Sequence, residues 1–155
     1  MASKSVRRFR AALESARLAD TIVELEQSAR TALEAAEALG CEVGQIVKSL
    51  VFADAGDAPL LVLAAGDVRV DEQRVGTLHG SPVSLGNAAF VRAHAGYAIG
   101  GVPPFGHTQA LPTLIDGSLR RWETVWAASG TPHHVFSLAF EDLVRVSGGR
   151  LADIG

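Results

Sequence analysis

An α+β fold in a single domain, residues 1–155, is the class this sequence predicts, on three observations. Strand-like runs dominate the middle and end of the chain. Helical patterns fall between them irregularly, without the regular βαβ alternation of a parallel sheet. A chain of 155 residues with 48% hydrophobic and 20% charged residues suits one globule with a sizeable core.

Each element rests on a local pattern. Val6, Phe9, Leu13 and Ala16 recur at helical spacing, which predicts a first amphipathic helix over residues 5–17. TIVELE, residues 21–26, is β-branched at its start and reads as a strand. Ser28 is an N-cap candidate for ARTALEAAEAL, with Ala32, Leu33, Ala36 and Leu39 as its apolar stripe and Gly40 as its stop. IVKSLVF and PLLVLAA, joined by DAGDA, predict a β-hairpin over residues 46–65. A short helix follows at 71–78, and Asn87 caps another, AAFVRAHA, closed by Gly96. LPTLID, TVWAAS and HVFSL are strand-like stretches bounded by Asp-Gly, Ser-Gly and Thr-Pro breaks. FEDLVRV is a last helix, ended by Gly148 and Gly149.

Composition narrows the functional classes. No run approaches the roughly 20 apolar residues that span a bilayer, so no membrane partner is expected. MASKSVRRFRAALESA has no continuous apolar core or A-x-A cleavage site, and reads as an amphipathic helix rather than a signal peptide. Cys41 is the only cysteine, which excludes an internal disulfide and points to a cytoplasmic protein. The net charge is −3, without the basic surplus of a non-specific nucleic-acid binder. Basic clusters are local, at Arg7, Arg8 and Arg10 and at Arg120 and Arg121.

Two features invite chemistry, and each has a plainer reading. On a strand, Ile46, Lys48, Leu50 and Phe52 share one face, while Val47, Ser49 and Val51 share the other. Both faces are apolar, so Lys48 either snorkels to water or sets an ammonium in a pocket for a polar or anionic group. The stretch GYAIGGVPPFGH, residues 96–107, holds four glycines and two adjacent prolines. Such a loop lets a ligand approach main-chain amides closely, and the prolines stiffen it. Composition alone favours a structural turn there.

The remaining candidates are weaker. His79, His94, His107, His133 and His134 show no zinc-ligand spacing, and no metal or other cofactor is expected. Adjacent His133 and His134 would point to opposite faces of a strand. Cys41 lacks a histidine partner and reads as a small, partly buried residue. Ser49, Ser118 and Ser129 lack a nucleophile-elbow pattern. Trp122 and Trp126 read as core packing.

The ordered set GCEVGQIVKSLVF, GYAIGGVPPFGH, PTLIDGSL, VWAASGTPHHVF and FEDLVRVSGG resembles the YbaK/prolyl-tRNA-synthetase-associated domain family. The resemblance runs from about Ser28 to Ile154. It implies a compact α+β domain with a mixed, partly closed, barrel-like sheet surrounded by helices. It also implies an aminoacyl-tRNA deacylase, from a family whose members are free-standing or inserted into prolyl-tRNA synthetase, that hydrolyses the ester of a wrongly attached amino acid. Lys48 matches the family's pocket lysine, and Gly100 to Pro104, GGVPP, matches its G-x-x-x-P loop. The resemblance therefore makes Lys48, Gly100 and Gly101 the expected catalytic groups, with backbone amides at the two glycines. Ser49, Pro103, Pro104, His107, Ser129 and Gly130 are the expected substrate contacts, although His107 also reads as a loop-stabilising side chain.

The expected substrate is the acceptor end of a mischarged tRNA, proline tRNA carrying a small residue such as alanine, with prolyl-tRNA synthetase a candidate partner. TPHHVF lacks the acidic residue looked for in cysteine-selecting relatives. Two alternatives stand beside this reading: a non-catalytic module binding tRNA ends or a nucleotide, and a hydrolase of non-tRNA esters.

Overall fold

The computed structural model of the protein describes residues 3–27, 29 and 31–155. Helix α1, Lys4–Ser15, begins where the Ser3 hydroxyl accepts from the Val6 amide at 3.0 Å, and it buries Val6, Phe9 and Leu13. Strand β1 is Val23–Glu24, the centre of TIVELE. Helix α2, Ala32–Leu39, starts later than the sequence suggested, with Thr31 as its cap accepting from the Glu34 amide at 3.1 Å. Ser28, the expected cap, lies outside the described residues. Of the expected stripe, Ala36 is buried and Ala32 and Leu39 pack against the core, whereas Leu33 is 58% exposed and Ala35 is buried instead.

Strands β2, Val47–Asp54, and β3, Pro59–Ala65, form the expected antiparallel hairpin, with Lys48 opposite Ala64 and Phe52 opposite Leu60. The Asp54 carboxylate closes its turn by accepting from the Gly56 and Ala58 amides, both at 2.9 Å. Then come α3, Glu72–His79, β4, Val83–Leu85, and α4, Ala88–Ala95, whose Asn87 cap accepts from Phe90 at 2.8 Å. Strands β5, Thr113–Asp116, β6, Thr124–Ala128, and β7, His134–Ala139, lead to α5, Phe140–Ser147, and β8, Arg150–Ala152.

The α+β class holds, but the strands divide into two sheets. One is mixed and five-stranded, in the order β4-β2-β3-β5-β8, with the β3–β5 and β5–β8 pairs parallel. The other is antiparallel and three-stranded, in the order β1-β7-β6. A parallel bridge between Ile46 and Trp126 joins them, and no closed barrel forms among the described residues. Short β4 and β8 were not foreseen, because three residues are too few for a periodic signal.

The main core lies between the two sheets and α1. Phe9 packs on Phe105 and Phe136 with ring centroids 5.1 and 4.8 Å away. Tyr97, Val102 and Phe105 of the glycine-proline loop belong to this core, so the loop is fixed by burial as well as by its prolines. The opposite face of the large sheet carries a second cluster around Phe52, Leu60, Val62, Val75, Leu114 and Ile154. A smaller third cluster seats α2 on Ile46 and Trp126.

Candidate functional site

Lys48 stands near the start of β2, at the edge of a cavity of about 580 Å³. The walls include Lys48, Ser49, Ile46, Gly100, Val102 and Trp126. The volume falls in the range of small-molecule sites, and the mostly apolar lining with few polar groups is their usual make-up. Trp126, read from sequence as core, is partly buried on this wall.

The partly buried Lys48 ammonium is anchored on the main chain. Its Nζ donates to the Val68 carbonyl at 2.7 Å. Register explains which charges it meets. Lys48 faces Ala64 on β3, and the β3–β5 register carried one residue past Leu63 and Ile115 sets Ala64 beside Asp116. Lysine and carboxylate thus occupy one face of three neighbouring strands, with only the Ala64 methyl between them. Burial pulls the Lys48 pKa below the ordinary lysine value, and the negative charges of Asp116 and then Asp67 offset part of that fall.

Both carboxylates have other work as well. Asp116 is buried and accepts from the amides of Ala65 at 3.0 Å and Ser118 at 2.9 Å. Asp67 takes the Arg121 guanidinium at 2.5 Å, which holds its carboxyl below the usual range against the opposing effect of burial. The sequence reading missed this pair. Asp116 sits in LPTLID and Asp67 just past PLLVLAA, and only strand register brings the first into line with Lys48.

The glycine-proline loop is built by two constraints. Gly100 has φ 89°, a left-handed value open to glycine, and Gly101 N donates to Ala98 O at 2.9 Å to close the turn. Gly101 itself lies against the β6–β7 connection: a Cβ there would fall 2.7 Å from the Gly130 carbonyl oxygen and 2.7 Å from Thr131 Cα. In that contact Gly130 N donates to Gly101 O at 3.0 Å.

These bonds sort the expected residues. Lys48, Ser49 and Gly100 come together on the cavity wall. Gly101 does not offer a free amide, because its N–H closes the turn; the amides of Gly100 and Val102, both on the wall, have no partner among the described residues. Gly130 and Ser129 form the layer behind the wall, with Ser129 fully buried and its hydroxyl unpartnered. Ser49 Oγ is buried and unpartnered too.

Pro103 and Pro104 are buried, and Pro104 and His107 line a separate cavity of about 340 Å³ on the loop's other side. His107 Nε2 donates to Pro103 O at 2.7 Å, and burial keeps its pKa below the usual histidine value. The histidine therefore staples the loop instead of facing the Lys48 cavity. The other histidines are scattered: His79 meets Asp54, His94 meets Gln109 and His134 meets Thr131, while His133 lies in the turn before β7. Burial raises the Cys41 pKa, with Glu42 adding to the shift, so its thiol stays protonated and a poor nucleophile.

Residues 26–146 match the aminoacyl-tRNA editing domain family. The chain belongs to this family. A relative from Bacillus subtilis, the "Uncharacterized protein YwhH", is 33% identical over 81% of this chain and 80% of its own length. The "Putative Cys-tRNA(Pro)/Cys-tRNA(Cys) deacylase EbsC" of Enterococcus faecalis is 26% identical over 77% of this chain and 73% of its own. A solved structure described as a "putative trans-editing enzyme for prolyl tRNA synthetase" superposes with a TM-score of 0.93 at 42% identity, covering 99% of this chain and 98% of the other. The editing domain is thus of the YbaK-like group of trans-editing aminoacyl-tRNA deacylases, and membership implies binding of mischarged tRNA. No helix among the described residues of this editing domain is long and apolar enough to cross a membrane.

Proposed function

We propose that this chain hydrolyses the ester linking a small amino acid, alanine in first place, to the 3′ end of proline tRNA. The observation that carries the reading is the meeting of one buried-edge ammonium, Lys48, with the unpartnered amides of Gly100 and Val102 on one apolar cavity. The 42% identical structure described as a trans-editing enzyme for prolyl tRNA synthetase supports the proline tRNA.

An aminoacyl ester is already activated, so the protein chiefly positions it and polarises its carbonyl. The Gly100 and Val102 amides donate to the ester oxygen and to the oxyanion that forms on it. Lys48 anchors the phosphate or sugar of the terminal adenosine. Water attacks the carbonyl carbon, the bond to the ribose oxygen breaks, and that oxygen leaves with a proton. The neighbouring ribose hydroxyl directs the water, since no carboxylate among the described residues lines the cavity and Asp116, off the wall, is buried and engaged by two amides.

Ser49 completes the substrate contacts: its unpartnered hydroxyl sits on the wall and is satisfied when the aminoacyl group enters, while Ser129 lies in the layer behind. Alanine suits walls of Ile46, Val102, Trp126 and Val135, which offer a methyl group apolar contact. A methylene is worth only about 1–3 kcal/mol in such a pocket, which is why a second, hydrolytic sieve adds fidelity. The test is a panel of proline tRNAs charged with alanine, serine, threonine, cysteine or proline, followed for free amino acid. Fastest release from the alanyl species is expected. Release from none, with tRNA still bound, would favour a binding module, and release only from small esters would favour a general esterase.

A further inference from the structure

The editing reading leaves one physical problem: a chain of net charge −3 must hold a polyanion. Helix α1 carries Lys4, Arg7, Arg8 and Arg10 against the single acid Glu14, a charge of +3 that leaves −6 on the rest of the chain; Asp20, just past the helix, pairs with Arg10 at 2.5 Å and reduces the local charge to +2. All four basic residues are exposed. We propose that this basic face of α1 is a docking surface for the phosphodiester backbone of RNA, the stem that follows the ester-bearing end. The proposal rests on the editing reading of the cavity and says where the rest of that substrate lies.

Contacts tie this face to the site loop. The Arg8 guanidinium donates to the Gly96 carbonyl and lies 4.3 Å over the Tyr97 ring. Phe9 packs on Phe105. A Cβ on Gly106 would meet Ala12 Cβ at 2.8 Å, and one on Gly130 would meet the Ser5 backbone at 2.9 Å. Gly130 is in turn bonded to Gly101. So α1 backs the 96–107 loop along its length, one layer from the cavity wall. Arg92, in the last turn of α4, adds positive charge near the Gly96 carbonyl that Arg8 holds.

The opposite flank has the opposite sign. Glu24, Glu26, Glu34 and Glu37 line a groove of about 590 Å³ between β1 and α2, the helix that also walls the Lys48 cavity. A polyanion is repelled there and attracted at α1, which gives the acceptor stem a direction of approach. A lipid surface fits less well. The apolar face of α1 is already spent on the core, with Val6, Phe9 and Leu13 at 2%, 0% and 1% exposure, and has nothing left to insert.

Lys4 and Arg7 make no side-chain bond among the described residues, so removing their charge breaks no fold contact. The test compares wild type with a Lys4→Gln, Arg7→Gln double variant, checked for an unchanged thermal melt. Binding of an uncharged acceptor-stem hairpin ending in CCA is followed by fluorescence anisotropy across a salt series. Loss of two phosphate contacts is expected to weaken binding about tenfold and to flatten the log–log salt slope by about 1.4–1.8. The preference for aminoacyl-tRNA over aminoacyl-adenosine, as a ratio of kcat/KM, should fall by a similar factor. An unchanged affinity and slope, no hairpin binding by wild type, or tighter binding to phosphatidylserine vesicles than to the hairpin would each overturn the proposal. Hairpin binding that depends on Lys4 and Arg7 in a protein that cleaves no aminoacyl ester would uphold the docking surface and refute the editing reading.

Discussion

Gly101→Ala tests how the site loop is held. The added Cβ would stand 2.7 Å from backbone atoms of Gly130 and Thr131, where ordinary contact begins near 3.4 Å. The two backbones must part by about 0.7 Å, because neither obstacle is a side chain that can rotate away. Overpacking of this kind costs about 1–3 kcal/mol. Weakening the Gly130–Gly101 hydrogen bond adds about 1 kcal/mol. For a domain of this size a loss of about 3 kcal/mol lowers Tm by roughly 6–12 °C. The same displacement moves the Gly100 and Val102 amides, and a misplacement near 1 Å lowers turnover by up to about 100-fold. Gly148→Ala is the control: its φ of 64° imposes left-handed strain, but a Cβ there has no neighbour within 4 Å, and it caps α5 far from the cavity wall. It should cost only about 1–2 kcal/mol and spare kcat/KM. Thermal melts and deacylation kinetics on both variants decide the matter. A Gly101→Ala protein with wild-type Tm and wild-type kcat/KM would refute the close packing as the source of the loop's geometry.

Ser49→Ala removes a hydroxyl on the cavity wall whose oxygen is buried without a partner in the free protein. Its Tm should hold or rise, since an unsatisfied buried group costs about 1–3 kcal/mol, while KM for the aminoacyl substrate rises; a lower Tm with unchanged KM would make the serine purely structural. The pH profile should report Lys48. Its pKa is depressed, chiefly by burial, so the alkaline limb of kcat/KM, after subtraction of uncatalysed hydrolysis, should fall below the ordinary lysine value and shift upward in Lys48→Arg. Linkage has a definite sign. Between the depressed native pKa and the ordinary value the unfolded chain binds more protons at Lys48, so this residue's cost to stability is full below that window and relieved as pH rises through it.

Much of this fold was legible because its elements announce themselves locally. Asn87 and Gly96 bracket α4 with a side-chain cap and a left-handed stop, and the β2–β3 hairpin follows from two runs dense in Val, Leu and Ile about the DAGDA turn. In the α2 stripe Leu33 alone was misplaced, because alanines and leucines alternate so closely that helical period does not fix the edge of the buried side; packing on Ile46 and Trp126 takes Ala35 in its stead. At the site, the alternation in IVKSLVF already set Lys48 among apolar residues. Its hydrogen bond to Val68 and its alignment with Asp116 were hidden, since both depend on pairing between segments far apart in the chain. His107 and Gly101 mark the same limit. Each lies within a few residues of the cavity wall, yet one histidine ring and one amide are consumed by the loop that presents their neighbours.

The most direct measurement is single-turnover release of alanine from alanyl-tRNA for proline by wild type, Lys48→Ala and Lys48→Arg, with circular dichroism to confirm the fold. The expected result is rapid release by wild type, a loss of about 100-fold or more in Lys48→Ala and partial recovery in Lys48→Arg, as for a positioned charge in a preorganised site. Equal rates for wild type and Lys48→Ala would contradict the account at its centre.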